Sequence, residues 1–525
     1  MAHLLHELIT DAAWRTPAGL ALRYGDNSLN YSQLAQCVEA SAQALLALDL
    51  QRGDRVAVFL EKREEAVLAM FGAAAAGCAF VPINPLLKPE QVAHILRDSG
   101  ARILVTSPAR RAVLDPVLAR CPDLRCVLQT GEALPQRGAL PVLGWDACLR
   151  DAAPRDAHRI IDSDLAALIY SSGSSGRPRG VVLTHRNLLA GADSLVRCLG
   201  MQGQDRILAA LPLSREDGFS QLSSAFASGA ALVLMNPLLT RDIPDMVALE
   251  RITGLTAVAP LWIQLSALEW QQRHALRYLA SAGAPLPRDT LLSLQRRLPH
   301  TKIFVMTGLS DAFRSCVLGP DELLTRPGSI GKAMPNAELL VLDGDGRPCG
   351  PGEPGELVQR GALVAPGFWN DPSASSETFR ALPGTPGMPL SETGMWSGET
   401  VRADADGYLY PLGRADELIK TSGYRVSPGE IEEVVYTSGL VAEVAAVGIA
   451  HPVHGQAIAL VATPAPGCVL DSTALLAPCR AQLPRYMLPC LVDMRAEPLP
   501  RDAGGRIDRR RLARELGQLF AQALV

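Results

Sequence analysis

The sequence predicts an α/β fold, because helical and strand-like segments alternate along its first part, up to about residue 160. Residues 34–48 and 91–98 have the apolar spacing of helices, whereas residues 55–60 and 103–105 have the apolar composition of strands. Such alternation is typical of a sheet with helices packed on its faces. A chain of 525 residues is longer than one ordinary domain, so we expect two or more.

Composition narrows the class of protein. Hydrophobic residues make up 48% of the chain and charged residues 20%, which is typical of a soluble globular protein. The formal net charge of −4 argues against nucleic acid as the main partner. The 11 cysteines, an odd number without a C-x-x-C pair, indicate reduced thiols, and the first 17 residues lack the features of a signal peptide. We therefore expect a cytoplasmic protein.

One uncharged segment, residues 66–83, has the length at which a membrane span becomes an alternative. Ala and Gly dominate this segment, and Pro82 interrupts it. We therefore expect a buried helix that ends near Gly77, then a short strand at residues 78–81, and no membrane span.

A run of small residues follows the strand predicted at residues 165–170. Its members are Ser171, Ser172, Gly173, Ser174, Ser175 and Gly176. Arg179 adds a positive charge before a second β-branched run begins at Val181. Small residues let backbone N–H groups surround an anion, so this stretch predicts a phosphate-binding loop. A flexible linker is the alternative, but linkers rarely lie between two apolar strands, and a Walker motif is excluded because its G-x-x-x-x-G-K pattern is missing.

This stretch resembles the phosphate-binding signature of the adenylate-forming superfamily, which includes acyl-CoA synthetases, adenylation domains of peptide synthetases, and luciferases. The family pattern is Tyr-Thr-Ser-Gly-Thr-Thr-Gly, any residue, Pro-Lys-Gly. The sequence keeps the glycines and the proline but has Ser for Thr, and Arg179 where the family has Lys. Residues 81–90 also resemble the family, in particular the acyl-CoA ligases associated with exosortase systems.

Further segments resemble family motifs, and they occur in the family order. Thr307-Gly308-Leu309-Ser310-Asp311 stands where the family has Tyr-Gly-Leu-Thr-Glu. There the aromatic ring stacks on adenine and the acid binds Mg²⁺. Thr307 cannot stack, whereas Asp311 keeps the oxygen ligands that Mg²⁺ prefers. Glu399 stands where the family has an acid, normally Asp, that binds the ribose hydroxyls, and Arg414 would contact ribose or phosphate. The cofactor-binding residues implied by the resemblance are Ser171, Ser172, Gly173, Ser174, Ser175, Gly176, Gly283, Ala284, Pro285, Thr307, Gly308, Leu309, Ser310, Glu399 and Arg414.

The resemblance implies a large N-terminal domain of stacked α/β sheets, residues 1–415, and a small mobile α+β C-terminal domain, residues 416–525. Asp416 falls at the family's hinge. In the small domain we expect strands at residues 443–449, 457–462 and 490–494 and a helix at residues 472–483. The catalytic candidates are Arg506, Asp311, Arg179, Lys420 and Gly423.

Two groups of these candidates would act in different steps. Lys420 and Gly423 belong to the loop that enters the site for the second half-reaction. Arg506 stands where the family has the lysine that catalyses adenylation. Only five of the chain's 50 Lys and Arg residues are lysines, so a compositional preference explains Arg at this position and at Arg179. The two cations are nevertheless not equivalent, because Arg is a planar fork and Lys a compact point charge.

The activity implied is ATP-dependent ligation of a small-molecule carboxylic acid to a thiol. The acid would attack the α-phosphate of ATP with the help of Mg²⁺, and the thiol of CoA, or of a carrier protein's phosphopantetheine, would then displace AMP. Two alternatives remain open. One is a degenerate homologue that binds nucleotide without turnover, and the other is an amino-acid adenylation enzyme.

A charged segment marks the region of the family's acyl pocket. A strand predicted at residues 207–214 leads into a loop with Arg215, Glu216, Asp217 and Gly218, which we assign to substrate binding. Buried charges without partners cost several kcal/mol. These three charges must therefore pair with each other, face solvent, or meet a charged group of the substrate.

Overall fold

The structure is a computed structural model that describes residues 2–131, 140–172, 178–237, 239–271, 274–283, 286–308, 315–383, 392–414, 418–465, 468, 471–501 and 507–523. The described helices of the large domain are α1 (Glu7–Arg15), α2 (Tyr31–Ala47), α3 (Glu64–Ala75), α4 (Pro89–Ser99), α5 (Pro108–Leu118), α6 (Trp145–Asp151), α7 (His185–Leu199), α8 (Glu216–Ser228), α9 (Asp242–Leu249), α10 (Ala259–Ala267), α11 (Arg288–Arg297) and α12 (Pro372–Thr378).

The described strands of this domain are β1 (Leu20–Tyr24), β2 (Asn27–Asn30), β3 (Arg55–Phe59), β4 (Ala79–Pro82), β5 (Ala101–Thr106), β6 (Cys126–Gln129), β7 (Val142–Gly144), β8 (Leu165–Ser172), β9 (Pro178–Thr184), β10 (Arg206–Ala209), β11 (Ala231–Leu234), β12 (Gly254–Val258), β13 (Tyr278–Ala282), β14 (Lys302–Thr307), β15 (Cys316–Leu318), β16 (Lys332–Ala333), β17 (Ala337–Leu342), β18 (Pro354–Gly361), β19 (Phe379–Ala381), β20 (Thr393–Ala403) and β21 (Leu409–Arg414).

The α/β alternation predicted for the first part of the chain is confirmed. The helix expected at residues 34–48 is α2, and its start is fixed by a capping box. The side chain of Asn30 accepts a hydrogen bond from the backbone N–H of Gln33 at 2.8 Å, and the Gln33 side chain accepts one from Asn30 N–H at 2.9 Å. These two bonds satisfy backbone donors that a helix start leaves unpaired.

The uncharged segment 66–83 forms a buried helix and a strand, as predicted. Residues 66–74 of α3 are buried on every side, and β4 follows after Gly77. At Gly72, a Cβ would lie 2.3 Å from the Ser41 hydroxyl oxygen of α2, so glycine allows the two helices to pack closely. No helix among the described residues is long and apolar enough to cross a membrane.

Two mainly parallel sheets form the centre of the large domain. In the described part of the chain, one has the order β7-β6-β5-β3-β4-β8-β9 and is parallel up to β8, with β9 antiparallel. The other has the order β16-β15-β14-β13-β12-β10-β11-β1-β2, with antiparallel strands at both edges. A third, antiparallel sheet consists of β17, β18, β20, β19 and β21. The first two sheets are the stacked α/β layers expected from the sequence.

An aromatic cluster joins the two parallel sheets into one core. Phe80 of β4 lies 5.0 Å from Phe219 of α8, measured between ring centroids, and Phe71 of α3 lies 5.4 Å from Phe226 of α8. All four side chains are almost fully buried. Helices α3 and α8 therefore pack between the sheets, and the N-terminal end of α8 is held firmly.

The small domain is an α+β unit. Its elements are β22 (Ile419–Thr421), β23 (Tyr424–Val426), α13 (Pro428–Tyr436), β24 (Val441–His451), β25 (Gly455–Pro464), α14 (Ser472–Gln482), a 3₁₀ turn (Arg485–Met487), β26 (Leu491–Met494) and α15 (Arg509–Ala523). The three strands and the helix predicted here are confirmed as β24, β25, α14 and β26. Helices α13 and α14 share one apolar core with the sheet, and α15 shares another. The proposed boundary at residues 415 and 416 lies outside the described residues.

Candidate active site

A cavity of about 1370 Å³ lies between the large and the small domain. The large domain contributes Ser171, Gly283 and Gly308 to its wall, and the small domain contributes Lys420 and Gly423. These five are residues predicted from widely separated motifs, and the fold brings them to one place. Ser171, Gly283 and Gly308 follow strands or end them at the same edge of their sheets, which is where α/β folds bind ligands.

The side of the cavity that is predicted to bind the nucleotide includes Gly283, directly after β13. Its φ is +93°, which favours glycine, and its N–H donates to the carbonyl of Met306 at 2.9 Å. That hydrogen bond connects the end of β13 to β14. Because glycine has no side chain, the backbone of Gly283 itself forms part of the cavity wall. Several residues predicted to bind the nucleotide or its Mg²⁺ lie outside the described residues. They are Gly173, Ser174, Ser175, Gly176, Ala284, Pro285, Leu309, Ser310 and Asp311. Ser172 ends β8.

Thr307 and Glu399 are both buried, on strands near the cavity. The Thr307 hydroxyl is buried and makes no hydrogen bond within the described residues. Glu399 lies opposite Arg414 in the antiparallel register of β20 and β21, and the neighbouring Thr400 lines the cavity. Burial, with a smaller contribution from the negative charge of Glu399, raises the pKa of the Cys316 thiol on β15.

Arg179 lies on β9, opposite Ser171 of β8. Its Nε is 3.0 Å from the Asp371 carboxylate, and its guanidinium lies 5.7 Å from the centre of the Phe368 ring. In this arrangement the cation predicted for phosphate binding forms an ion pair with the segment before α12. A role for Arg179 at the nucleotide remains a prediction.

The charged segment at Arg215 is not a loop, so that prediction is wrong. Strand β10 ends at Ala209, and helix α8 begins at Glu216 with Arg215 in an extended conformation before it. Carboxylates in the first turn of a helix interact favourably with its unpaired N–H groups, which explains helix formation here. Gly218, the next residue of α8, is buried. A Cβ at this position would lie 1.9 Å from the carbonyl oxygen of Pro212, so only glycine fits here.

Arg215 has partners in both domains. Its Nε and Nη2 bond to the two Asp217 carboxylate oxygens at 3.1 Å and 2.9 Å, and its Nη1 donates to the carbonyl oxygen of Gly423. The guanidinium carbon lies 5.1 Å from the centre of the Tyr424 ring. The sequence left three possibilities for these charges: pairing with each other, exposure to solvent, or contact with a charged group of the substrate. Arg215 and Asp217 pair with each other.

The turn between β22 and β23 enters the cavity from the small domain. Ser422 and Gly423 have φ values of +50° and +80°, and a Cβ on Gly423 would lie 2.8 Å from the Val258 methyl groups. Ser422 N–H donates to the His454 carbonyl at 2.9 Å, and the Ser422 hydroxyl lies 3.0 Å from His454 Nδ1. Of the two loops predicted to serve the two half-reactions, the one with Gly423 lines the cavity, whereas Arg506 lies outside the described residues.

Sequence reasoning missed four residues of the wall between the domains. Tyr424 stacks on Tyr486 with ring centroids 3.8 Å apart and planes 9° apart. Gln91 of α4 donates to the Glu430 carboxylate of α13 at 2.9 Å. Burial raises the pKa of Glu430 to about 7. The apolar spacing of α4 and α13 indicates which faces are buried, but the sequence carries no signal that these two helices meet.

Two family models match the chain. Residues 9–369 match the AMP-binding enzyme family, and residues 430–506 match the AMP-binding enzyme C-terminal domain. The chain belongs to the AMP-binding enzymes. The superfamily inferred from the motifs is thereby confirmed, whereas the exosortase-associated subgroup remains a prediction.

Named relatives of this AMP-binding enzyme include ligases and peptide synthases. It is 29% identical to an indoleacetate–CoA ligase of Aromatoleum aromaticum over 515 residues, covering 96% of each chain. It is 31% identical to a long-chain-fatty-acid–CoA ligase of Escherichia coli, covering 89% of this chain and 86% of the relative. Two linear gramicidin synthase proteins of Brevibacillus parabrevis match 95% and 98% of this chain at 30% and 29% identity, but the chain spans only 6% and 10% of their lengths.

Solved structures share the fold of this AMP-binding enzyme. An amide bond synthetase of Marinactinospora thermotolerans superposes with a TM-score of 0.85 at 22% identity, covering 98% of this chain and 99% of that one. A double mutant of the o-succinylbenzoate CoA synthetase of Bacillus subtilis gives 0.81 at 24% identity, covering 96% and 97%. Both likenesses establish the two-domain α/β architecture.

Proposed function

We propose that the protein is an AMP-forming acid–thiol ligase. In the first step an oxygen of the substrate carboxylate bonds to the α-phosphorus of ATP, and pyrophosphate leaves with the electron pair of the broken P–O bond. In the second step a thiol, losing its proton, bonds to the acyl carbon, and AMP leaves. The overall products are a thioester, AMP and pyrophosphate.

The observation that carries this proposal is the cavity shared by the two domains of an AMP-binding enzyme. Ser171, Gly283 and Gly308 give its large-domain wall small side chains and accessible backbone, which suits a phosphate and a nucleotide. Lys420 and Gly423 line the opposite wall, from which a thiol could approach the acyl carbon. One cavity can therefore hold the nucleotide and the acid while the small domain changes the groups that face them.

Magnesium belongs to this proposal as the partner of ATP. Bound Mg²⁺ would neutralise phosphate charge while the anionic carboxylate approaches. Asp311, the predicted ligand, lies outside the described residues. Among those described, no group of three Asp, Glu, His or Cys side chains could hold a metal ion. Mg²⁺ bound together with ATP would keep oxygens of the nucleotide and take only one or two carboxylates from the protein.

We further propose that the acid has an apolar body without a second charge. Arg215 is neutralised by Asp217, and its Nη1 donates to the Gly423 carbonyl. The adjacent cavity wall is apolar and consists of Val258, Ala259, Pro260, Ile263 and Ala282. A dicarboxylate would bring an unpaired charge against this wall, which costs several kcal/mol.

Release of pyrophosphate tests the activity. The protein would be incubated with ATP, Mg²⁺ and single acids from three classes: apolar alkyl or aryl acids, dicarboxylic acids, and amino acids. We expect release with apolar acids. Release with amino acids alone would establish the amino-acid adenylation alternative instead. No release with any class, together with measurable ATP binding by calorimetry, would establish the degenerate homologue.

The acceptor is tested in a second reaction. Acyl-AMP formed in the first step would be offered CoA, free pantetheine, or a carrier protein bearing phosphopantetheine, and the thioester would be measured by mass spectrometry. We propose CoA as the acceptor, because relatives that match this chain over nearly their whole length are named CoA ligases. Thioester on the carrier protein alone would assign the protein to carrier loading.

A further inference from the structure

We propose that Arg215 is a positioning residue: it holds the turn of residues 422–424 against the large domain and so favours the domain arrangement in which thiol transfer occurs. The proposal rests on the function proposed above. It adds a contact between the domains at a place where substrate contact was expected from the sequence. We call this contact the latch, and it consists of Arg215 and Asp217 in the large domain and Gly423 and Tyr424 in the small domain.

The large-domain half of the latch is rigid. Arg215 precedes α8, whose first turn supplies Asp217, and the ion pair uses two nitrogens and two oxygens. Asp217 also accepts a hydrogen bond from Gly218 N–H at 2.8 Å, so its carboxylate is fixed by the helix start. Asp217 is 5% exposed, which limits screening by solvent. The third nitrogen of the Arg215 guanidinium, Nη1, therefore points towards the small domain.

The small-domain half consists of one turn and the rings behind it. The Gly423 carbonyl accepts from Arg215 Nη1, and the Tyr424 ring lies beneath the guanidinium. Tyr486 stacks on Tyr424 and supports it. Asn84, a second large-domain residue, lines the same cavity as Tyr424. Cation, ring and carbonyl thus form a continuous contact across the cavity.

This contact exists in only one relative orientation of the domains. If the small domain rotates to present another loop, Gly423 and Tyr424 leave Arg215 together. The hydrogen bond and the cation–π contact are then both lost, so they stabilise the observed arrangement alone. Lysine should replace arginine only in part, because one ammonium group cannot pair with both Asp217 oxygens and also reach the Gly423 carbonyl.

The direct test measures domain orientation without any reaction. Dyes would be attached through unnatural amino acids at two exposed positions, Trp14 in the large domain and Met494 in the small domain. Single-molecule energy transfer would then be recorded for wild type, Arg215→Ala and Arg215→Lys. A charged hydrogen bond corresponds to about a tenfold change in population. We expect the wild-type distribution to be dominated by one state, and that state to lose about tenfold in relative population in Arg215→Ala, with a smaller loss in Arg215→Lys.

The matched control is Arg197→Ala, which removes an exposed ion pair with Asp193 on α7 and should leave the distribution unchanged. The kinetic counterpart compares thioester formation from preformed acyl-AMP with pyrophosphate release. In Arg215→Ala, the first rate should fall about tenfold relative to the second. An energy-transfer distribution that is unchanged in both Arg215 variants overturns the proposal. An equal fall in the rates of thioester formation and pyrophosphate release in Arg215→Ala also overturns it. A wild type that releases no pyrophosphate overturns the proposed function, while the orientation measurement still decides on the latch.

Discussion

At the scale of single residues, the predicted nucleotide site has charged groups where the family pattern has chemically similar ones. Glu399 replaces an aspartate, Arg179 and Arg506 replace lysines, and Asp311 replaces a glutamate of the family pattern. Each side chain has the same sign of charge as the family residue but a different length or shape. Charge alone is sufficient for attraction to a phosphate, but a bridging contact between two oxygens also depends on length and shape.

Glu399 provides the first prediction. If its carboxylate accepts hydrogen bonds from the ribose, Glu399→Gln should weaken ATP binding by about 10- to 100-fold, because hydrogen bonds to charged groups contribute about 1.5–3 kcal/mol. Calorimetry measures the affinity. Glu269→Gln, at an exposed position beyond α10, is the control and should bind ATP normally. An affinity equal to that of wild type would remove Glu399 from the nucleotide site.

Arg506 provides the second prediction. A lysine is compact enough to place one charge between the substrate carboxylate and the α-phosphate, so Arg506→Lys should raise acyl-AMP formation several-fold. Thioester formation from preformed acyl-AMP should change little in comparison. Stopped-flow measurement of pyrophosphate release follows the first step, with the exposed Arg514→Lys as control. Slower adenylation would show that the site has adapted to arginine.

At the scale of secondary-structure elements, the hairpin of β22 and β23 and the start of α8 determine how the domains meet. The hairpin turn has two consecutive residues with positive φ, and only a hydrogen atom at Gly423 fits against Val258. Helix α8 supplies Asp217 from its rigid N-terminal end, directly after Arg215. The contact between the domains is therefore made by backbone and by well-supported side chains.

Gly423→Ala is the prediction that belongs to this scale. The added methyl group would lie 2.8 Å from Val258, so the turn should withdraw from the cavity and thiol transfer should fall at least tenfold. Gly407→Ala is a matched control, since Gly407 has the same φ of +80° but nothing within 4 Å of a Cβ. Both variants carry the backbone cost of about 1–2 kcal/mol, measurable by thermal denaturation. Equal thiol transfer in the two variants would contradict the close fit.

The same elements show what the sequence could and could not predict. The strand before Ser171 and, in the small domain, β24, β25, α14 and β26 are predictable, because apolar periodicity and motif order are local properties. The start of α8 is not, since charged residues favour a loop by composition but stabilise a helix when they occupy its first turn. The pairs Arg215 with Gly423 and Gln91 with Glu430 join residues more than 200 positions apart, and no local pattern encodes such contacts.

At the scale of the whole molecule, the interface between the domains contains a titratable group. Glu430 of α13 is 9% exposed and accepts a hydrogen bond from Gln91 of α4. Burial raises its pKa from 4.5 to about 7, so the carboxyl group holds a proton over a range in which an exposed glutamate has lost it. The state of one proton is therefore linked to the packing of two domains.

This linkage predicts a pH dependence with a definite sign. Between pH 4.5 and about 7 the folded protein binds a proton at Glu430 that the unfolded chain has released, so the free energy of unfolding falls as pH rises through this range. Above this range, the free energy of unfolding has fallen by roughly 3 to 4 kcal/mol at most. Glu430→Gln cannot titrate and should have a higher Tm than wild type at about pH 8 and a similar Tm at about pH 5. Calorimetric scans at both values measure this, and parallel profiles would contradict it.

The cavity walled by both domains has a consequence for inhibition. A molecule that occupies the nucleotide side and also extends past Gly423 would be enclosed as long as Arg215 holds the turn in place. Its escape would then require the domains to separate first. We expect such a bisubstrate compound to act as a slowly dissociating inhibitor whose residence time is set by domain opening. Arg215→Ala should therefore shorten the residence time far more than it changes the association rate.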